Sequence, residues 1–121
     1  MRSLVLAFGV VVLLSDPSAV SAEPYAPETL TRVFRIDFEA TRKMSGTVID
    51  GYVYNKDLRA TGRIILRIEQ LDPSGKAVGK TLTWVPSVVS SGSRAYFRAG
   101  VPDASSYRVQ VEVFEWIRCG D

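Results

Sequence analysis

The stretch Thr47-Val48-Ile49-Asp50-Gly51-Tyr52-Val53-Tyr54-Asn55 decides the fold class. Thr47, Ile49, Gly51 and Val53 share one parity, and Val48, Asp50, Tyr52 and Tyr54 share the other. Successive side chains of a strand point to opposite faces, so this alternation predicts a strand with one buried side. A glycine inside such a strand marks a bend or a close approach by another segment. Asn55-Lys56-Asp57 then supplies turn chemistry, because short Asn and Asp side chains hydrogen-bond to nearby backbone.

The flanking segments repeat the pattern. Residues 33–39 alternate strictly, with Phe34, Ile36 and Phe38 facing one way and Arg35, Asp37 and Glu39 the other. Residues 63–69 place Ile64, Leu66 and Ile68 inward and Arg63, Arg67 and Glu69 outward, with Ile65 as the exception. Leu71-Asp72-Pro73-Ser74-Gly75 predicts a hairpin turn: proline presets the first turn position and glycine supplies a positive φ. The returning strand, residues 77–85, carries Val78, Leu82 and Trp84 on one side, and residues 87–93 read as a flexible loop with Val88 and Val89 exposed. Residues 94–101 turn Ala95, Phe97, Ala99 and Val101 inward and Arg94, Tyr96 and Arg98 outward. In the last strand Tyr107, Val109, Val111 and Val113 face in, while Phe114 and Trp116 fall on the other parity, which predicts a bulge or twist there. No segment after residue 22 carries a helical period. Six short strands separated by turns predict an all-β antiparallel sandwich.

The chain has 121 residues, enough for one domain. Arg2, an apolar run over residues 4–14, Ser15-Asp16-Pro17 and then Val20-Ser21-Ala22 form the pattern of a secretory signal peptide, residues 1–22. The run is shorter than the roughly twenty apolar residues that span a bilayer, so a retained anchor is the rival reading rather than the main one. The expected organisation is a signal peptide, an extended lead-in over residues 23–31, a sandwich over residues 32–118 and a short tail, residues 119–121. Cleavage removes one basic and one acidic side chain, Arg2 and Asp16, and leaves the net charge at +2. So small and scattered an excess argues against a nucleic-acid partner. The location expected is the periplasm or the extracellular medium, with no transmembrane segment in the processed chain. Cys119 is the only cysteine, which excludes an intrachain disulfide and leaves an intermolecular bridge or a tolerated free thiol.

The string Ile49-x-Gly51-x-Val53-x-Asn55, followed by an alternating strand, Leu71-Asp72 and the Gly75 turn, resembles the FxLYD-type domain. Gly92 before the aromatic strand around Phe97, and the closing Tyr107-x-Val109-x-Val111, continue the likeness over about residues 48–113. The resemblance implies a small immunoglobulin-like β-sandwich of about six to seven strands in an exported bacterial protein. It implies no catalytic activity.

The chain contains no histidine, which removes the commonest general base, zinc ligand and nucleophile activator together. Paired carboxylates alone suffice for some hydrolases. Asp37, Glu39 and Asp50 fall at outward strand positions in a domain with little volume for a cleft, so they read as solvated groups. Asn55, Asp57 and Asp103 have calcium-ligand chemistry, but their spacing matches no calcium loop and turn formation accounts for all three. Neither a metal nor another cofactor is expected. Arg63 and Arg67 share a strand face, as do Arg94 and Arg98, and Arg108 lies outward on the last strand. On neighbouring strands they would offer a cationic stripe, but cross-strand pairing with Glu69 and Glu112 is the main reading. Tyr52, Tyr54 and Tyr96 sit on the outward parity, where amphipathic aromatics favour recognition. These residues predict a non-enzymatic binding module, with another cell-envelope protein as partner. A carbohydrate or lipid ligand is the alternative, and a small carboxylate-dependent hydrolase is the alternative of another class.

Overall fold

The structure is a computed structural model that describes residues 25–117. The expected signal peptide and Cys119 lie outside the described residues. A short helix, α1 (Pro27–Val33), precedes six strands: β1 (Phe34–Lys43), β2 (Gly46–Asn55), β3 (Thr61–Leu71), β4 (Ala77–Trp84), β5 (Arg94–Val101) and β6 (Ser106–Trp116). They form two antiparallel three-stranded sheets, ordered β1-β2-β5 and β4-β3-β6. The chain changes sheet after β2, after β4 and after β5, so β5 returns beside β2 and β6 beside β3. As in an immunoglobulin-like sandwich, the first, second and fifth strands share one sheet and the third and sixth the other, while β4 pairs with β3.

Each inner face follows the alternation of its sequence. Ile49 and Val53 of β2 and Phe97 of β5 meet Ile64, Leu66 and Ile68 of β3 and Val109 and Val111 of β6, all buried in one core. Gly51 lies between Phe38 and Phe97 in the ladder, where a Cβ would collide with the Asp37 carbonyl oxygen and the Phe38 Cα. The expected close approach is therefore made by β1 backbone. Phe38 is half-buried rather than fully enclosed, because β1 is an edge strand whose last residues run past the core.

The lead-in is not extended throughout. α1 forms because Pro27 presets φ in its first turn, Glu28 and Arg32 match the helix dipole at the two ends, and Val33 anchors it in the core. Seven residues are too few to display a helical period in the sequence.

The β3–β4 hairpin has the predicted turn. Asp72 Oδ1 accepts from the Ser74 and Lys76 amides at 2.9 Å each, and Gly75 adopts φ +88°. The turn aligns Leu71 with Ala77, and a bulge at Val78 then shifts the register by one residue, setting Thr83 opposite Leu66 and Thr81 opposite Ile68 on the inner face. Val78, Leu82 and Trp84 consequently face out, at 64%, 51% and 61% exposure. The bulge outweighs hydrophobicity on this edge strand, since a shift of one residue exchanges its two faces.

Two irregularities shape the β3–β6 pair. Arg63 has φ +48°, where the register shifts between Gly62 and Ile65. On β6, Val111 pairs with Leu66 and Val113 with Ile65, so Glu112 is an extra residue. The expected bulge is here, and it turns Phe114 inward while Val113 sits opposite half-buried Ile65.

Asn55 closes the same end of the sandwich. Its side-chain amide donates to the Arg59 and Val89 carbonyls at 2.8 and 3.0 Å, and its Oδ1 accepts from the Asp57 amide at 2.8 Å. Val89 also exchanges two backbone hydrogen bonds with Thr61. The 87–93 connection is thus pinned to the core, and Val89 is buried while Val88 is exposed.

Candidate functional site

The outer face of the β1-β2-β5 sheet gathers the three tyrosines. Tyr52 and Tyr54 project from β2 with ring centroids 6.4 Å apart. Tyr96 of β5 stands directly opposite Tyr52, at 5.7 Å between centroids and in an edge-to-face arrangement. Tyr52 and Tyr54 are half-buried by their neighbours, and Tyr96 is 46% exposed.

Two outward-facing arginines complete this face, one of which, Arg94, the sequence already offered as a cationic candidate. Arg35 of β1 lies opposite Tyr54, with its guanidinium 3.9 Å from the ring centroid. Arg94 of β5 covers Tyr52 at 4.0 Å and donates from Nη1 to the Tyr54 hydroxyl at 3.2 Å. This hydroxyl, with the Tyr54 and Tyr52 side chains beside it, raises the Arg94 pKa above its ordinary value. The Tyr96 hydroxyl donates to Asp50 Oδ2 at 3.0 Å, and Arg35 pairs with Asp37 at 2.6 Å. The cation–π contacts place guanidinium groups against the Tyr54 and Tyr52 rings, so that the face is aromatic with cationic donors at its margins.

Arg63 and Arg67 stand on the other sheet. Arg67 donates to Glu112 Oε1 and Gln110 Oε1 at 2.6 Å each, with Glu69 3.6 Å from its Nε. Glu69 also takes Arg108 at 2.6 Å, and Arg63 lies 3.4 Å from Glu115. Cross-strand pairing with Glu69 and Glu112, the main reading of the sequence, therefore neutralises these cations, and the Arg63/Arg67 pair does not adjoin the tyrosines.

The remaining acidic and amide groups have structural partners. Asn55 and Asp57 lie at one end of β2, whereas Asp103 accepts from Thr47 at the other end, 2.6 Å away, so the three do not converge. Among the described residues no group of three or more His, Cys, Asp or Glu side chains is placed to hold a metal ion. Asp57 has a lowered pKa, chiefly through its hydrogen bond from the Arg59 side chain. That of Asp72 is lowered chiefly by the Ser74 hydroxyl and the Lys76 amide. Among the described residues no helix is long and apolar enough to cross a membrane.

Comparisons with family models, with curated proteins and with solved structures return no match to this chain.

Proposed function

We propose that this chain is an exported, non-enzymatic binding module, and that it binds another protein of the cell envelope through Tyr52, Tyr54 and Tyr96. The observation that carries this reading is the convergence of the three rings on one face, held by Arg35 and Arg94. Tyrosine offers a large amphipathic contact at low entropic cost, and its hydroxyl orients the partner. The signal-like residues 1–22 support export, and the FxLYD-like order of Gly51, Leu71-Asp72, Gly75 and Gly92 is in keeping with it.

The test compares the wild type with Tyr52→Ala/Tyr54→Ala as baits in the envelope fraction of the native cell, with thermal unfolding measured on both. Loss of specific capture by a folded variant supports the reading. Equal capture by both defeats it. The intact mass of the exported protein checks compartment separately, since cleavage after Ala22 leaves a chain beginning at Glu23.

A lipid ligand is the second reading, favoured by one observation: Val78, Leu82 and Trp84 form an exposed apolar row on β4. Insertion of this row into vesicles of mixed zwitterionic and anionic lipid would shift Trp84 emission to the blue, and Trp84→Phe would remove the shift.

A further inference from the structure

Strand β6 pairs with β3 along one side, and no strand of the described residues lies along its other side. The seventh strand of an immunoglobulin-like sandwich would occupy that place. β6 is eleven residues long and contains neither proline nor lysine, the residues that commonly blunt a sheet edge. Beside it, α1 and β1 leave a cleft of about 340 Å³ lined in part by Leu30, Phe34, Ile36, Val109 and Val111. Apolar side chains of one more strand on this edge would enter that cleft.

The residues of β6 select the strand that fits. Arg108-Val109-Gln110-Val111-Glu112 is self-complementary when paired antiparallel about Gln110. Arg108 then stands opposite Glu112 of a second copy, and Glu112 opposite its Arg108. Val109 and Val111 meet Val111 and Val109 on the inner side, next to the cleft. The ion pairs within each copy would join across the seam, because Arg108 is already held by Glu69 and Glu112 by Arg67. Signs would alternate from Glu69 through Arg108 to Glu112 and Arg67 of the second copy. Opposite charges directly across an antiparallel pair are favourable, and like charges there are unfavourable.

We propose that two copies of this chain associate through their β6 edges, antiparallel about Gln110, into one continuous sheet. The contact is isologous, as a two-fold axis requires. The bulge at Glu112 confines regular pairing to this short segment, so the dimer is weak and concentration-dependent. The tyrosine face is on the other sheet and stays uncovered, so this inference is independent of what that face binds.

Sedimentation velocity of the exported chain over a range of concentrations tests the proposal. The wild type should pass from monomer to dimer. Arg108→Glu and Glu112→Arg each place two like-charge pairs across the axis and should weaken association about tenfold or more. An equimolar mixture of the two variants should restore it, because every glutamate then meets an arginine. Gln110→Glu, at an exposed position, brings two carboxylates together on the axis while keeping an acceptor for Arg67 and the Arg67–Glu112 and Arg108–Glu69 pairs; it decides the matter if either charge variant fails to fold. A wild type that stays monomeric to its solubility limit overturns the proposal. So does a dimer indifferent to all folded variants, or a pair of folded charge variants whose mixture fails to associate.

Discussion

Tyr52 and Tyr96 face each other across the β2–β5 ladder, with ring centroids 5.7 Å apart and planes inclined at 66°. Edge-to-face geometry places the positive rim of one ring against the negative face of the other. The two side chains therefore act as one unit, and Arg94 over Tyr52 extends it. A double-mutant cycle with Tyr52→Ala, Tyr96→Ala and both together should give a coupling of about 0.5–1 kcal/mol in urea unfolding. Strict additivity would show that the rings do not cooperate.

The core makes a larger prediction. Leu66 is fully enclosed and Phe97 is 1% exposed, on facing sheets. Leu66→Ala or Phe97→Ala should each cost roughly 2–5 kcal/mol of stability, the range for cavities left in packed interiors. Denaturant unfolding at constant m-value measures it. Losses below about 0.5 kcal/mol at both sites would be incompatible with this core, since even Ile→Val changes reach that size.

How far the sequence could be read follows from what each residue depends on. Ile49, Val53, Leu66, Ile68 and Phe97 declared their side by parity alone, since a period of two is local information. The Phe114 irregularity was visible as a break in that period. Trp84 and Leu82 were not legible, because their direction depends on the bulge at Val78, which the alternation does not announce. Val89 misled for a similar reason: what buries it is Thr61 and Asn55, both distant in sequence. The tyrosine face was half legible. Tyr52 and Tyr54 share one strand, but Tyr96 joins them only through the β2–β5 pairing, and Arg35 through the β1–β2 pairing. Arg67 was readable as a partner of Glu69 and Glu112, and the β3–β6 pairing brings Glu112 to it.

Asp72 gives the fold a dependence on acidity. Its pKa lies below the ordinary 3.8 because the Ser74 hydroxyl and the Lys76 and Ser74 amides stabilise the carboxylate. A carboxylate with a depressed folded pKa contributes fully above its unfolded value, and the contribution is lost as pH falls through the folded one. Asp72→Asn keeps the Oδ1 acceptor but cannot titrate. Between about pH 5 and pH 2 the wild-type melting temperature should therefore fall more steeply than that of the variant. Parallel profiles would remove Asp72 from the account. Asp57, also depressed, remains in both proteins and cancels in the comparison.

Asn55 carries the most local consequence. Its side chain is 1% exposed and serves three backbone groups: the Arg59 and Val89 carbonyls and the Asp57 amide. Its own backbone binds Ser93 and Gly92, so one residue ties the end of β2 to both neighbouring connections. Asn55→Ala removes three hydrogen bonds, but the Val89 carbonyl keeps the Thr61 amide and Arg59 lies at the surface. The loss should therefore be about 1–3 kcal/mol, the cost of one buried polar group left unpaired. The loss should also be localised. Hydrogen exchange should quicken at Asp57, Thr61 and Val89, whereas the Ser105 amide, bonded to Leu71 at the opposite end, should keep its protection until global unfolding. Uniform quickening at both ends would mean that Asn55 supports the sandwich as a whole rather than pinning this end. Asn55→Asp separates the two donor bonds from the acceptor bond, since it retains an oxygen for the Asp57 amide but offers the Arg59 and Val89 carbonyls only a carboxylate. It should quicken exchange at Thr61 and Val89 and leave Asp57 nearly unchanged.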